Sequence, residues 1–540
     1  MHKPGQGVRI AMSAKSARPH KSRLVRQTSR QQEVLVCLLA VGCALFLALV
    51  YLISPSAESD AALRGLPLDD SWIHLDYARS LAQGLGFSYN PGYREAGLSS
   101  PLWALLLGLG HASLVPAGIS PQWVAKGASL LIALAIPVAT YLLVLRLGLG
   151  KIWGWLAAFL VALDPNLTYG SVSGMEVTLA TLLILIAVLL ALKGQVLGAG
   201  LTLGGLVITR AEGVPIALLI GGGLLVRKYL ERTPGELILL TNDEITSGLK
   251  LFLPALVLGG SWALLNYSVN GTFLPNTYYV KHGFHLGYFA PENLWALASG
   301  YLRHLPYFSG LMAVFSLTAI VAVLLNLIRS RSYFQAGLLL GIPISQLYLF
   351  SINIPLSTEG PWIYYTRRYM DFLIPFWCIL LVFGTQTIWS NVAKKGDRLL
   401  TAVVPAAVLA MLGILGFNLV RIHGDFVREY YEDTRRVETV DVAIGKWVAA
   451  NLPTDATIGI TEAGAVRYFA HPDQTIIDFL GLNCHVCVGQ PPQYIIEVLQ
   501  PDYLILFRPA IPDSLEFEEL YAMNTYPDQR GAELVVLKLN

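Results

Sequence analysis

Two adjacent carboxylates, Asp69 and Asp70, stand in the stretch Leu68-Asp69-Asp70-Ser71-Trp72-Ile73-His74-Leu75-Asp76-Tyr77-Ala78-Arg79. They follow shortly after an uncharged apolar run long enough to cross a membrane. Two acids held at a bilayer surface suit one chemistry above others, the removal of a proton from a hydroxyl. A structural reading competes for Asp70, which could cap the following helix by accepting from the backbone of Trp72 or Ile73. A cap needs one acid, and the chain supplies two.

The element that would position them is a helix. Ile73, Tyr77 and Leu81 recur every four residues and make one apolar stripe, and Gly84 and Gly86 end it. Around it, composition sets the frame. Of 540 residues 54% are hydrophobic and only 14% charged, at a net charge of +2. Soluble chains carry roughly a quarter charged residues, so the sequence reads as a polytopic α-helical membrane protein. No basic stripe points to nucleic acid. Residues 1–33 read as a basic, disordered arm, held in the cytoplasm by its Lys and Arg. Val34–Ile53 then makes the first crossing. Further spans are expected near 124–147, 151–168, 171–193, 196–209, 213–230, 249–269, 306–328, 333–351, 371–391 and 399–420, about eleven crossings in all within residues 34–420. Every inner turn of that arrangement carries Lys or Arg.

The same arrangement puts four charged groups on the outer face. They are the first outer loop 54–123, the Arg210–Glu212 segment, the loop with Asn276 and Lys281, and the loop with Arg367-Arg368-Tyr369. One such charge would be a solvated loop residue; four on one face read as a site. Pro101–Leu114, apolar but short, is expected to lie at the interface or re-enter. From residue 421 the composition changes. Helices near Val440–Asn451 and Gln493–Gln500 alternate with short apolar strands at Thr457–Thr461, Thr475–Asp478, Tyr503–Phe507 and Leu534–Leu537, which predicts an extracytoplasmic α/β domain over 421–540. Cys484 and Cys487, two of five cysteines, read as a local disulfide or two free thiols, since a structural zinc site needs more ligands.

In order along the chain, Asp69–Gly84, Phe87–Gly92, Ser99-Ser100-Pro101-Leu102-Trp103, Ser173-Gly174-Met175-Glu176, Thr209-Arg210-Ala211-Glu212-Gly213, Pro275–Lys281 and Arg368-Tyr369 before Pro375 resemble the motifs of bacterial GT-C glycosyltransferases. The likeness is greatest to the mannosyl- and arabinofuranosyltransferase-like membrane proteins. Asp76 departs from the pattern, which has a basic residue there. The resemblance implies a GT-C fold in the multi-pass plasma (inner) membrane and transfer of a sugar from a polyprenyl-phosphate donor to a glycan, lipid or protein acceptor of the cell envelope, with inversion. It implies Asp69 as general base, with Asp70 next, and Arg210, Lys281, Arg367 and Arg368 as partners of the carrier phosphate, aided by Asn276 and Tyr369. Glu176 and Glu212 would orient neighbours or pair with Arg210. No cofactor is fixed by it, although two adjacent acids also suit Mg²⁺ or Mn²⁺. The alternative is a transporter or flippase of lipid-linked sugars. That function would place ionisable groups along a path through the bilayer middle, whereas here they sit at span ends and in loops.

Overall fold

The computed structural model describes residues 20–53, 65–230, 241–282, 300–353, 364–395, 398–512, 514–524 and 533–539. A helix lies at each place where a span is expected. Among the described residues six are long and apolar enough to cross a bilayer by themselves: Gln31–Ile53, Pro121–Arg146, Asn242–Asn270, Met312–Arg329, Tyr364–Lys394 and Pro405–Asn451. A seventh is bent by 119°, between Pro165–Val172 and Val177–Leu192. Lys151–Ala162, Val196–Val207 and Gly213–Arg227 are apolar but shorter. The long helices turn large apolar side chains such as Leu256, Leu409 and Val420 outward, the inverse of a water-soluble surface.

Several expectations change in detail. The first helix begins at His20, inside the stretch expected to be a disordered arm; residues 1–19 lie outside the described ones. The expected straight span 171–193 is broken at Ser173–Glu176. Gly174 makes the break with φ of +78°, and a Cβ there would stand 2.9 Å from the Leu66 side chain. In 364–373 the helix tightens to a 3₁₀ form over Arg368–Leu373.

After the first crossing come a helix, Asp69–Ala82, and a small hairpin of β1 (Ser88–Asn90) and β2 (Tyr93–Arg94). The short helix Pro101–Leu114 follows and packs against Asp69–Ala82. The C-terminal domain carries a five-stranded sheet of β3 (Thr457–Ile460), β4 (Thr475–Asp478), β5 (Tyr503–Phe507), β6 (Phe517–Asn524) and β7 (Glu533–Leu539), in the order β4-β3-β5-β7-β6. β3 runs parallel to β4 and β5, and β7 runs antiparallel to β5 and β6. The four apolar strands were legible in the sequence. β6 was not: its Glu518 and Glu519 hide the strand pattern, as charges do on an exposed edge.

The packing that matters for function joins this domain to the first loop. Ile73, Tyr77, Tyr89, Leu98 and Ala104 share one apolar core with Ile444, Val448, Ile458, Ile476 and Val536. The Asp69–Ala82 helix is therefore clamped from several sides. It is not the amphipathic surface helix that its stripe suggests: Trp72, Leu75, Asp76 and Ala78, off that stripe, are also buried.

Candidate active site

The two acids at the head of this helix do different things. The backbone turns helical at Asp69, after an extended Leu68 that caps with no side chain, so neither acid is the N-cap. Asp69 points to the C-terminal domain. Its Oδ2 accepts from the Gly464 N–H and its Oδ1 from the Ala465 N–H, both at 2.7 Å. Burial pushes its carboxyl up to about 6, and the Asp70 charge adds to that; the two N–H groups and Arg436 pull the other way. Asp70 points to the membrane helices and pairs with the Arg368 guanidinium.

Asp70 opens onto a cavity of about 340 Å³ between the membrane helices, the first loop and the C-terminal domain; Asp69 does not line it. The broken span brings Glu176 to its wall, and the turn before Gly213 brings Arg210 and Glu212. Arg210 donates to Glu176 Oε1 at 2.7 Å and to Glu212 Oε1 at 2.8 Å. The His74 Nε2 lies 3.4 Å from the second Glu176 oxygen. The Arg210 guanidinium sits 5.1 Å from the centre of the Tyr369 ring, and that of Arg368 sits 5.3 Å from the same ring and 4.5 Å from Tyr365. Two guanidiniums thus lie near one aromatic ring, Arg210 held by two carboxylates and Arg368 by one. Arg368 Nε and Nη1 and Arg210 Nε are buried with no hydrogen-bond partner. Such donors cost stability when left unmade.

The opposite wall is neutral. Thr277 donates to the Gly97 carbonyl at 2.7 Å, and Tyr77 donates to Asn483 Oδ1 at 3.1 Å. Gly97, Thr277, Tyr278, Leu482 and Asn483 all line the cavity. Asp70, His74 and Tyr77 recur at four and three residues, so one face of the helix runs from the guanidinium pair to this wall, about 10 Å at 1.5 Å per residue.

Of the residues expected in the site, Asp70, Glu176, Arg210, Glu212, Arg368 and Tyr369 meet at the cavity. Three do not. Arg367 turns away and donates to Glu429 at 2.6 Å, with its guanidinium 4.1 Å from the Phe426 ring centre. Asn276 bonds Glu95 at 2.9 Å and accepts from Asn270 at 2.8 Å, which supports its neighbours Thr277 and Tyr278 from behind. Asp69 serves the domain contact. The Lys281 side chain lies outside the described residues. Asp76, where the motif has a base, is buried and paired with Arg79, so no cation is offered from that position. His74 was missed, although it sits one helical turn from Asp70. Asn483 and Gln346 carried no signal, since only the fold brings them near.

A divalent cation does not fit these donors. Asp69 is taken by two backbone N–H groups, Asp70 by Arg368, and Glu176 by Arg210 and His74. Among the described residues no group of three or more His, Cys, Asp or Glu side chains converges to hold a metal.

Residues 427–535 match a family described as a domain of unknown function, DUF8728. No curated protein matches the chain. Solved structures do. ArnT from Cupriavidus metallidurans, bound to undecaprenyl phosphate, superposes with a TM-score of 0.58 at 14% identity, over 93% of this chain and 97% of that one. The archaeal oligosaccharyltransferase AglB from Archaeoglobus fulgidus, with an inhibitory peptide and a dolichol-phosphate, gives 0.56 at 12% identity, over 88% and 69%. The same Archaeoglobus fulgidus oligosaccharyltransferase with zinc and sulfate gives 0.53 at 12% identity, over 87% and 67%. The chain shares the fold of these proteins.

Proposed function

We propose that this GT-C-fold protein is a membrane glycosyltransferase that moves a sugar from a polyprenyl-phosphate carrier to a cell-envelope acceptor outside the cytoplasm, with inversion. The observation that carries the reading is the pairing of Asp70 with Arg368 at the wall of a cavity that also holds Arg210. ArnT, which covers nearly the whole chain, was solved with undecaprenyl phosphate, and AglB with a dolichol-phosphate. A lipid phosphate at the two guanidiniums agrees with both.

The acceptor hydroxyl oxygen attacks the anomeric carbon from the face opposite the phosphate. The bond from that carbon to the phosphate oxygen breaks, and the carrier phosphate leaves with the electron pair. The hydroxyl proton passes to Asp70. Asp70 is preferred over Asp69 as base because it lines the cavity, while both oxygens of Asp69 are engaged elsewhere. Protonation of Asp70 cancels its charge and releases Arg368 from its ion pair. That happens as negative charge builds on the leaving phosphate, so Arg368 binds the transition state more strongly than the ground state. Arg210, held by Glu176 and Glu212, supplies the second cation.

The test is an assay of membranes with radiolabelled polyprenyl-phosphate sugars and an envelope extract. Wild-type chain should move label into an envelope product. Asp70→Asn should slow this about a hundred- to ten-thousandfold, the contribution of a general base. Bare undecaprenyl phosphate should still bind the variant, because Arg368 has lost only its competing carboxylate. Near-normal transfer by Asp70→Asn would remove Asp70 from the mechanism.

A further inference from the structure

The helix Ile342–Asn353 carries a buried polar side chain that the scheme above leaves unused. Gln346 is 3% exposed, lines the cavity, and its Nε2 has no hydrogen-bond partner. Its neighbours Ile344 and Tyr348 face outward, so the amide is turned to the inside of the membrane helices. An amide donor left unmade inside the protein is costly. The backbone directly before it, Gly337–Gly341, is a π-helical turn, a form that shifts the register of the side chains after it and recurs at functional sites. The helix packs against Arg368–Leu373 and Gly213–Leu230, the segments next to the guanidinium pair. Gln346 therefore belongs to the cationic end of the cavity.

We infer that Gln346 is a third donor to the anionic phosphate of the lipid carrier, an uncharged one offered from the membrane helices beside Arg210 and Arg368. The inference rests on the reading of the cavity as a carrier-phosphate site. An amide is the fitting group at that place. Each guanidinium here requires a carboxylate partner within the protein, and a third cation would require another. A neutral donor completes the set of hydrogen bonds to the phosphate oxygens without one. Its unmade bond is a cost borne by the empty protein and relieved by the ligand.

The probe is undecaprenyl phosphate, bound to the purified full-length chain in detergent and measured by native mass spectrometry beside the thermal stability of the ligand-free protein. Gln346→Met keeps length and volume and removes the donor. Affinity should fall about three- to tenfold, the worth of one hydrogen bond. The ligand-free variant should melt at the wild-type temperature or above, because it no longer buries an unpaired amide. Gln346→Leu should repeat both results. Affinity within about twofold of wild type, less than one hydrogen bond is worth, overturns the inference. So does a melting temperature that falls together with affinity, since the amide would then be serving the fold. If the folded wild type itself does not bind undecaprenyl phosphate, the carrier reading of the cavity fails, and the inference fails with it; that outcome is seen without any variant.

Discussion

Neighbouring residues of one type have divided two tasks between them. Asp69 and Asp70 are adjacent on a helix, so their side chains diverge by about 100°, the turn per residue of an α-helix. One faces the C-terminal domain and the other the cavity. The sequence could place an acid pair at a membrane surface, but it could not say which acid faced which way, because that depends on what packs on each side. The buried carboxyl of Asp69, with its ionisation moved up to about 6 against an ordinary value of 3.8, makes a distinct prediction. A raised carboxylate contributes its full stability below the ordinary value and loses it as pH climbs through the raised one. Between about pH 4 and 6 the wild type should therefore lose stability relative to Asp69→Asn, which does not titrate. Thermal unfolding of both proteins across that window checks it. Parallel curves would mean that Asp69 ionises normally. Its effect on transfer should be smaller than that of Asp70→Asn, since it acts by holding the helix and touches no reacting group.

At the scale of elements, the legible and the hidden follow one rule. Apolar runs announced the helices, since a membrane demands them whatever their neighbours are. Their breaks were hidden. The turn at Gly174 and the 3₁₀ stretch at Arg368–Leu373 sit inside apolar sequence, and they bring Glu176, Arg368 and Tyr369 to the cavity. Hydropathy averages over such features. The contact between the first loop and the C-terminal domain was hidden for another reason, as it joins residues almost four hundred apart. Gly97 is one of the places where that contact is close. A Cβ there would run into the Leu482 carbonyl oxygen and would lie 2.6 Å from Asn483 Oδ1. Gly97→Ala should push Leu482 and Asn483 off the neutral wall and loosen the domain. We expect a loss of about 1–3 kcal/mol, the usual range for overpacking, together with a fall in sugar transfer. Binding of bare undecaprenyl phosphate, at the far end of the cavity, should change little. A variant with normal transfer would mean that the neutral wall has no part in the reaction.

At the scale of the whole molecule, the cavity exists only because three bodies meet: the membrane helices, the first loop and the C-terminal domain. The loop and the domain share a core, so they lie on one side of the membrane. Which side is a question of charge and redox chemistry. The turn between Met312–Arg329 and the helix after it carries Arg329 and Arg331, a mark of the cytoplasmic face. Cys484 and Cys487 form a disulfide on the C-terminal domain, a bond that persists in oxidising compartments and is rare in the cytosol. From both signs we propose that the cavity faces outside, where an envelope acceptor is found. The count of crossings cannot decide this, because several apolar helices are shorter than a bilayer. Labelling can. In a background without the free Cys37, Cys43 and Cys378, single cysteines at the exposed positions Ser113 and Glu518 should react with an impermeant thiol reagent added to intact cells. A cysteine at Ser330 should react only after the membrane is opened. Labelling of Ser330 from outside, with Ser113 and Glu518 protected, would turn the molecule over. The cavity would then face the cytoplasm, and the acceptor would have to be sought there.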